Sequence, residues 1–358
     1  MVTRRGFIAG ALAAGSVSTV TWAGLGDVHF LSAAQDREGA YRLIGMAETG
    51  APVFSVPLPA RGHAAAAHPS AAEAVGFARR PGNFAFVVDC LSGAVLHRLE
   101  APEGRHFYGH GAFSMDGNTL FTTENDFEAG QGVIGVWDRS AGYRRIGEFA
   151  SGGVGPHQIC RLPGRETLVV ANGGIETHPD AGRAKLNIPM MEPNLAYLSP
   201  EGAEIEVMEL PREMHMNSIR HIAVRDDGMV AFGMQWQGDR AQAPVLFGAH
   251  RLGEEVRLLQ PTPEQHAALN AYVGSVTFSQ DGREVAISSP RGGVVQVIDL
   301  EGMRVARSVA MADVCGIGAN AAGFVLTSGD GRVARYVGDR LEETGRQDIR
   351  WDNHMVAV

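Results

Sequence analysis

Five histidines occur at the same place in a segment that recurs along the chain, and their side chains could bind a metal ion. They are His63, His110, His157, His221 and His354. Each lies about six or seven residues before a turn signal. Neutral imidazole is a good ligand for iron, copper, zinc and nickel, so five imidazoles brought together would form a transition-metal site. The same histidines could instead only hold strands together through hydrogen bonds, and both interpretations stay open.

The register of the repeat depends on its turns rather than on the histidines. Segments such as YGHGAFSMDG, IRHIAVRDDG and VGSVTFSQDG each end in an Asp-Gly turn. In this register Ser275 and Gly316 take the places of two further histidines, and we call the seven residues the head positions. Successive head positions are 38 to 64 residues apart. Since a four-stranded propeller blade takes roughly 40 to 50 residues, the sequence predicts seven blades.

The elements that must position these residues are short strands, so the sequence predicts an all-β fold. Together with the sevenfold repeat, this predicts a seven-bladed β-propeller. Each unit begins with an inner strand at the head position and returns, after a turn, as a second strand. The predicted second strands are Phe84–Asp89, Leu120–Glu124, Leu168–Asn172, Val230–Gln235, Glu284–Ser289 and Phe324–Ser328. The last unit has only the strand Trp351–Val358, so its missing strands must come from residues 28–59. Pairing of the N- and C-terminal strands would then close the ring and remove exposed sheet edges.

This topology places the start of each inner strand and the end of each second strand on one face of the propeller. Polar residues at those ends could therefore add an oxygen ligand or orient the histidines by hydrogen bonding. They are Asp89, Glu124, Asn172, Gln235 and Ser289. Long loops, which often bind ligands, are predicted at Asn125–Gly132, Gly173–Asn194 and Trp236–Pro244, and the second of them contains His178.

Two other groups of residues suggest weaker binding hypotheses. Met214-His215-Met216 and Met190-Met191 combine ligands that favour copper, although packing by flexible methionines is the preferred interpretation. The segments Arg79–Gly82 and Pro290–Gly293 contain Arg80, Pro81 and Arg291 and could bind an anion, although solvated turns are preferred. The GxSxG, HExxH, P-loop, Rossmann and CxxCH motifs do not occur. An enzyme would have to use the axial metal, or a histidine together with Glu124 as acid and base.

Composition limits the class of partner. The chain has 358 residues, 45% hydrophobic residues, 46 glycines and a net charge of −9, which argues against a nucleic-acid partner. Cys90, Cys160 and Cys315 are odd in number and have no CxxC spacing, so a full disulfide framework is excluded. We expect them to pack as small buried residues.

The N-terminus is typical of a twin-arginine signal peptide. Paired arginines in Thr3–Ile8 precede a weakly apolar stretch that ends at Ala23; an ordinary secretory signal or a membrane anchor is the alternative. Cleavage could follow Ala23 or Ala34. We favour Ala23, because Val28–Ala34 is predicted to be a blade strand. The expected organisation is a signal peptide at residues 1–23 and a propeller at 24–358, exported folded to the periplasm, with a charge of about −11 and no stable membrane span after signal removal.

Several long motifs resemble a known bacterial family. The motifs include RHFYGHGAFSMDG, LFTTENDFEAGQGVIGVWD, LVVANGGIETHPDAGRAKLN, SIRHIAV, DVCGIGA and WDNH, and they resemble the domain of unknown function 1513 family. The resemblance implies a twin-arginine-exported periplasmic propeller associated with iron uptake beside imelysin-type partner proteins. It also implies a site that includes His63, His110, Glu124, Asn125, His157, Asn172, His178, His221 and His354.

These observations favour a periplasmic propeller that binds a transition metal through the five histidines and takes part in metal acquisition. Iron is the preferred metal and copper the second choice. One alternative is a metal-dependent oxidoreductase or lyase that uses the same histidines. The other is a protein-interaction scaffold without metal. Asp89, Glu124, Asn125, Asn172, His178, Gln235 and Arg291 are the predicted supporting or ligand-binding residues.

Overall fold

The structure is a computed structural model that describes residues 20–79 and 82–358. The twin-arginine motif, and Arg80 and Pro81 of the predicted anion-binding turn, lie outside these residues. The described part contains 28 strands in seven four-stranded antiparallel sheets, and the predicted all-β, seven-bladed β-propeller is confirmed. It contains no helix long and apolar enough to cross a bilayer.

The strands are named in chain order. The first fourteen are β1 (Phe30–Asp36), β2 (Tyr41–Met46), β3 (Pro52–Leu58), β4 (Gly62–Ala67), β5 (Glu73–Ala78), β6 (Phe84–Asp89), β7 (Ala94–Glu100), β8 (Arg105–Phe113), β9 (Thr119–Asp126), β10 (Gln131–Asp138), β11 (Arg144–Ala150), β12 (Pro156–Arg161), β13 (Leu168–Asn172) and β14 (Asn194–Leu198). The others are β15 (Glu204–Glu209), β16 (Asn217–Val224), β17 (Val230–Trp236), β18 (Phe247–His250), β19 (Arg257–Leu258), β20 (Ser275–Phe278), β21 (Glu284–Ser289), β22 (Val294–Asp299), β23 (Arg304–Ala310), β24 (Val314–Asn320), β25 (Gly323–Ser328), β26 (Arg332–Val337), β27 (Arg340–Arg346) and β28 (Ile349–Ala357).

Helical structure in the described residues is confined to short segments. They are the α-helix α1 (Pro263–Ala268) and 3-10 turns at Trp22–Leu25, Pro179–Ala181, Ile188–Met190, Arg212–Met214 and Arg240–Gln242. The helix α1 begins with a capping box, in which the side chain of Thr262 accepts from the Gln265 backbone and the Gln265 side chain accepts from the Thr262 backbone.

Blades 1 to 6 are four consecutive strands each, starting with β4 to β7, and blade 7 joins the two ends of the chain. Its strand order is β28-β1-β2-β3. Ser32 of β1 lies opposite Met355 of β28, so the predicted closure by the N- and C-terminal strands is confirmed. The predicted strand at residues 28–34 is β1, while the cleavage position after Ala23 stays a prediction.

The Asp-Gly turns behave as the sequence predicts. Gly117, Gly228 and Gly282 have φ angles of 74°, 87° and 70°, a region that glycine occupies without steric strain. The backbone N–H of Gly117 closes its turn by donating to the carbonyl of Ser114 at 3.0 Å. These turns set the register in which the second strands of blades 2, 4 and 5 return beside their inner strands.

The apolar core lies between adjacent blades. The contact between blades 1 and 2, for example, joins Phe77 of β5 to Phe107 of β8 and Trp137 of β10, and all three side chains are buried. Because each blade buries its faces against its neighbours, the ring fixes the inner strands around one axis. Apart from His63, the innermost strand β4 consists of glycine and alanine. Small residues of this kind let the innermost strands come close together.

The prediction for blade 1 was wrong in one respect. Phe84–Asp89 is the third strand, β6, and the second strand is β5, Glu73–Ala78. The sequence of β5, EAVGFA, is rich in alanine and glycine, which have weak strand propensity. As a consequence Asp89 lies opposite Glu73, at the end of the blade away from the head position. Arg79 follows the true second strand instead.

Candidate metal centre

All five head-position histidines meet on the propeller axis. The ring centroids of His63 lie 5.1 Å from those of His110, 5.6 Å from His157 and 4.6 Å from His354. His221 completes the group, 4.8 Å from His157 and 5.0 Å from His354. We call these five residues the histidine cluster. The structure therefore brings together the five histidines that the sequence places at one position of the repeat.

Irregular pairing in the inner strands accompanies the histidine cluster. The register between inner and second strand shifts across Gly62/Ala65, Phe107/Gly111 and Pro156/Gln158, and these shifts include three of the histidines. Similar shifts occur at His221 and His354. A β-bulge adds unpaired residues and re-aims side chains, which explains how histidines on different strands can converge on the axis.

Each histidine of the cluster has a buried ring nitrogen with no hydrogen-bond partner among the described residues. The atoms are Nδ1 of His63, His157 and His221 and Nε2 of His110 and His354. All five residues are less than 9% exposed. Buried polar atoms are nearly always hydrogen-bonded, so five such nitrogens in one group are poorly explained by a purely structural role.

Four of these histidines are neutral at pH 7. Burial lowers the pKa of His110 and His221 well below the usual value, and nearby histidines, His354 first in both cases, lower it further. The same shift at His157 comes from burial and the charge of Arg220. For His354 it comes from burial and the charge of His63. Neutral imidazole is the form that binds metals.

Three members of the cluster are close enough to share one metal ion. One ligand nitrogen each from His63, His110 and His354 lies within 4.8 Å of the others. Metal–imidazole bonds of about 2.1 Å place ligand nitrogens roughly 3 to 4 Å apart, so the rings would close by about an ångström around an ion. A set of three histidines fits a transition metal and leaves a coordination position for another ligand.

Asp352, which the sequence analysis did not select, is a buried carboxylate beside this group. Its Oδ1 lies 3.7 Å from Nδ1 of His63, and its Oδ2 lies 3.0 Å from Arg61. Although burial raises the pKa of Asp352, its contact with His63 and the charge of Arg61 hold the pKa below its usual value. A carboxylate behind a histidine orients the ring and makes it a better ligand. Asp352 lies two residues before His354 in the sequence, and this proximity could have identified it as a supporting residue.

The histidine cluster separates two cavities. A cavity of about 580 Å³, which we call the upper cavity, is lined by His63, His157 and His221. On the other side, a channel of about 360 Å³ is lined by His110, His221 and His354 and otherwise mostly by alanine and other apolar residues. A small molecule in the upper cavity would therefore be in contact with the histidine cluster.

Three of the predicted supporting residues lie around the upper cavity. Nε2 of Gln235 is 3.4 Å from Nε2 of His221 and donates to the carbonyl of Val273 at 3.1 Å. Arg291 lies 4.4 Å above the ring of Tyr272, and His178 packs edge-on against Phe127. All three line the cavity.

Asn125 supports the cavity wall from behind. Its Nδ2 donates to the carbonyl of Thr177 at 3.0 Å and lies 3.2 Å from Nε2 of His106. His106 and Thr177 line the upper cavity, and so does Tyr108. His106 and Tyr108 were missed because they lie upstream of a head position, in the part of β8 that the repeat did not predict.

The structure does not bring the other predicted supporting residues to the histidine cluster. Glu124 is fully buried and accepts hydrogen bonds from Arg145 at 2.7 and 3.0 Å and from Thr122 at 2.7 Å. Asn172 is tied to Ser151 and Asn194. Asp89 accepts from Leu91 and Ser92 in its own turn. Neither cavity is lined by any of the three.

The methionine and cysteine groups are dispersed through the molecule. Met214 packs in the core between blades 3 and 4, as the packing interpretation expects, whereas Met190 is 76% exposed. The three cysteines are unpaired. Burial raises the pKa of Cys90 and Cys160 to about 12, so these thiols are protonated.

Fold and site together define a class of protein, the seven-bladed β-propeller with histidines gathered on its axis. Within that class, residues 56–358 match the family model described as "Protein of unknown function (DUF1513)". The chain belongs to this family, as its motifs indicated. Comparison with curated proteins gives no match.

Solved structures share the architecture at low sequence identity. Hydrazine synthase from Kuenenia stuttgartiensis is 15% identical, with a TM-score of 0.57 over 86% of this chain and 90% of that chain. U3-55K is 10% identical, with a TM-score of 0.58 over 84% of this chain and 81% of that chain. Identities this low support the fold alone.

Proposed function

We propose that this protein binds a transition metal ion on the propeller axis, with His63, His110 and His354 as ligands, and serves in metal acquisition. The observation that carries the proposal is the set of five buried, unpaired histidine nitrogens in one cluster. Each such atom that stays buried and unpaired costs about 1 to 3 kcal/mol. Metal ligation would give Nε2 of His110 and Nε2 of His354 a partner, while Nδ1 of His63 faces Asp352.

Iron is the metal we propose first, with copper second. Three imidazoles do not by themselves separate the two metals. Iron is placed first because the family motifs resemble proteins associated with iron uptake. In this proposal the mature protein acts in the periplasm after twin-arginine export and passes the metal to, or receives it from, an imelysin-type partner.

Metal content and ligand variants test the proposal. The protein would be expressed with its own N-terminus, purified from the periplasm without a metal-binding tag, and analysed for iron, copper, zinc and nickel. We expect about one metal ion per chain, and at least tenfold weaker binding in His63→Ala, His110→Ala and His354→Ala. His157→Ala and His221→Ala should weaken binding less, because these residues lie outside the close group of three.

The matched control is His215→Ala. His215 is a half-buried histidine between two methionines and lines neither cavity. Its replacement therefore removes an imidazole away from the histidine cluster and also tests the hypothesis of a copper site at the methionines. Metal binding equal to wild type is expected for this variant. A native protein that carries no metal and binds none on titration would contradict the proposal and favour the scaffold. Thermal unfolding of each variant separates lost ligation from lost folding.

A metal-dependent enzyme is the second candidate, and the upper cavity favours it. With three histidine ligands a metal keeps an open coordination position, and the upper cavity could hold a substrate against the histidine cluster. Redox cycling of the bound metal with an electron donor, coupled to turnover of a small molecule, would support the enzyme. Stable binding without cycling would support a carrier.

A further inference from the structure

The wall of the upper cavity has a charge opposite to that of the chain. Six cationic side chains line it, and none of the described residues that line it is aspartate or glutamate. The six are Arg79, Arg183, Lys185, Arg220, Arg240 and Arg291. Because the whole chain has a net charge of −9, this concentration of positive charge is a local feature of one face.

The six cations reach the cavity from four blades. Arg79 follows β5 in blade 1, and Arg183 and Lys185 lie in the long loop after β13 in blade 3. Arg220 is part of β16, beside His221, and Arg240 lies in the loop after β17. Arg291 follows β21 in blade 5. A solvated charged face would normally lie on one strand or helix. These cations come from several strands and loops and therefore surround the cavity.

For two of these cations, Arg79 and Arg291, neutralisation by carboxylates of the described residues is incomplete. Asp352 lies behind the wall, 3.6 Å from Arg79, and it is also bound to Arg61 at 3.0 Å. One carboxylate therefore serves two guanidinium groups. Arg291 is stacked on the ring of Tyr272 at 4.4 Å, which holds its guanidinium group in place while its N–H donors stay available at the ring's edge.

We infer that the upper cavity binds a small molecule with at least two oxyanion groups, carboxylate or phosphate. Arginine presents planar pairs of donors that match either group. Two or more groups are expected because the six cations reach the cavity from four blades. A volume of about 580 Å³ lies within the range of small-molecule sites. Tyr108, Trp236 and Tyr272 in the wall provide apolar surface for its carbon skeleton.

Binding of the anion and of the metal should reinforce each other. Arg220 is the residue before His221 in β16, and Arg79 and Arg220 line the same cavity as His63, His157 and His221. The same charges oppose the entry of a metal cation into the histidine cluster. A bound anion would offset them, and linkage requires that the metal then strengthen anion binding by the same factor. This coupling rests on the proposed metal function, whereas the anion site itself does not.

Calorimetric titration of the metal-free protein tests the anion site. The probes are succinate, inorganic pyrophosphate and acetate, and we expect at least tenfold tighter binding of one of the two polyanions than of acetate. Tighter succinate binding would identify carboxylates as the ligand class, and tighter pyrophosphate binding would identify phosphates. Binding should weaken steeply with salt. No saturable binding of either polyanion at millimolar concentration would overturn the inference.

Arginine variants locate the site. Arg183→Ala and Arg291→Ala change exposed side chains, and we expect each to weaken polyanion binding at least fivefold. Arg304→Ala is the control, because Arg304 lies on the outer strand β23, 68% exposed and paired with Asp299. If Arg304→Ala reduced affinity as much as the cavity variants, the binding would be nonspecific and the inference would be wrong.

A second titration separates this inference from the proposed function. Succinate binding would be compared in metal-free and metal-loaded protein, since succinate removes metal only weakly. Tighter binding to the loaded form supports the coupling, and equal binding overturns it. Anion binding without any metal binding would refute the metal centre and leave the anion site standing. Metal binding without anion binding would refute the anion site and leave the metal centre standing.

Discussion

At the scale of single residues, the position of Asp352 is the strongest support for His63 as a ligand. The carboxylate is 5% exposed and held by Arg61 on one side, with Nδ1 of His63 at 3.7 Å on the other. A short rotation of the imidazole would make this contact a hydrogen bond from Nδ1–H. The tautomer protonated at Nδ1 leaves Nε2 as the metal-binding atom.

Asp352→Asn should weaken metal binding without removing a ligand. The amide keeps the size of the carboxylate but loses its charge, so it orients His63 less strongly and makes the imidazole a poorer donor. We expect roughly 10- to 100-fold weaker binding, measured by Co²⁺ titration and its absorption bands. Asp330→Asn is the control, because Asp330 pairs with Arg332 and Arg346 in blade 6. Wild-type affinity in Asp352→Asn would contradict the orienting role.

At the scale of elements, the packing of one inner strand against the next holds the histidines in place. Gly109 of β8 has a φ of 103°, and a β-carbon at this residue would lie 2.5 Å from Cδ2 of His63 in blade 1. The glycine therefore meets two requirements, a left-handed backbone and close contact with a ligand ring of the neighbouring blade. The bulge in β8 and the position of His63 are parts of one arrangement.

Gly109→Ala should consequently displace His63. We expect a destabilisation of about 1 to 3 kcal/mol from the backbone conformation and at least tenfold weaker metal binding from the moved ring. Gly228→Ala provides the comparison, since Gly228 has a φ of 87° but nothing within 4 Å of the added carbon. Urea unfolding should show a loss of stability in both variants. Metal titration should show an effect only for Gly109→Ala, and an effect in both would point to general strain.

Strands and turns with strong local signals could be predicted from the sequence. The Asp-Gly turns identified the second strands of blades 2, 4 and 5 and set the register that aligns the five histidines, because glycine at positive φ fixes a turn locally. The second strand of blade 1 could not be predicted, since alanine and glycine become strand residues in β5 only through packing between blades. Because β5 was not predicted, the sequence also did not show that Arg79, which follows β5, lines the upper cavity.

The supporting residues were harder to predict than the ligands. Neighbouring side chains in a strand point to opposite faces, and the sequence did not show that Glu124 has a partner, Arg145, on the outer strand of its own blade. Asn125, the next residue, contacts the cavity wall instead. The cationic lining could not be predicted either, because it is assembled from four blades whose loops carry no shared motif.

At the scale of the whole molecule, the two ends of the chain meet in blade 7 and complete both the ring and the histidine cluster. The innermost strand β28 pairs with β1, and the hydroxyl of Ser32 donates to the carbonyl of His354 at 2.8 Å. This one strand also carries Asp352. The same strand therefore closes the propeller and completes the metal centre. We predict that closure and metal binding can be measured separately when β28 is added as a separate peptide.

Strand complementation provides that separation. A chain that ends at Asp348 should lack metal binding, because it has lost His354. It has also lost the innermost strand β28, and this loss exposes the edge of β1. Addition of a peptide of residues 349–358 should restore thermal stability by pairing with β1, and should restore metal binding with it. The same peptide with His354→Ala should restore stability alone, because it closes the ring without contributing the ligand. If that peptide restored metal binding as well, His354 would not be a ligand, and the cluster would have to bind its ion through the histidines of blades 1 to 4.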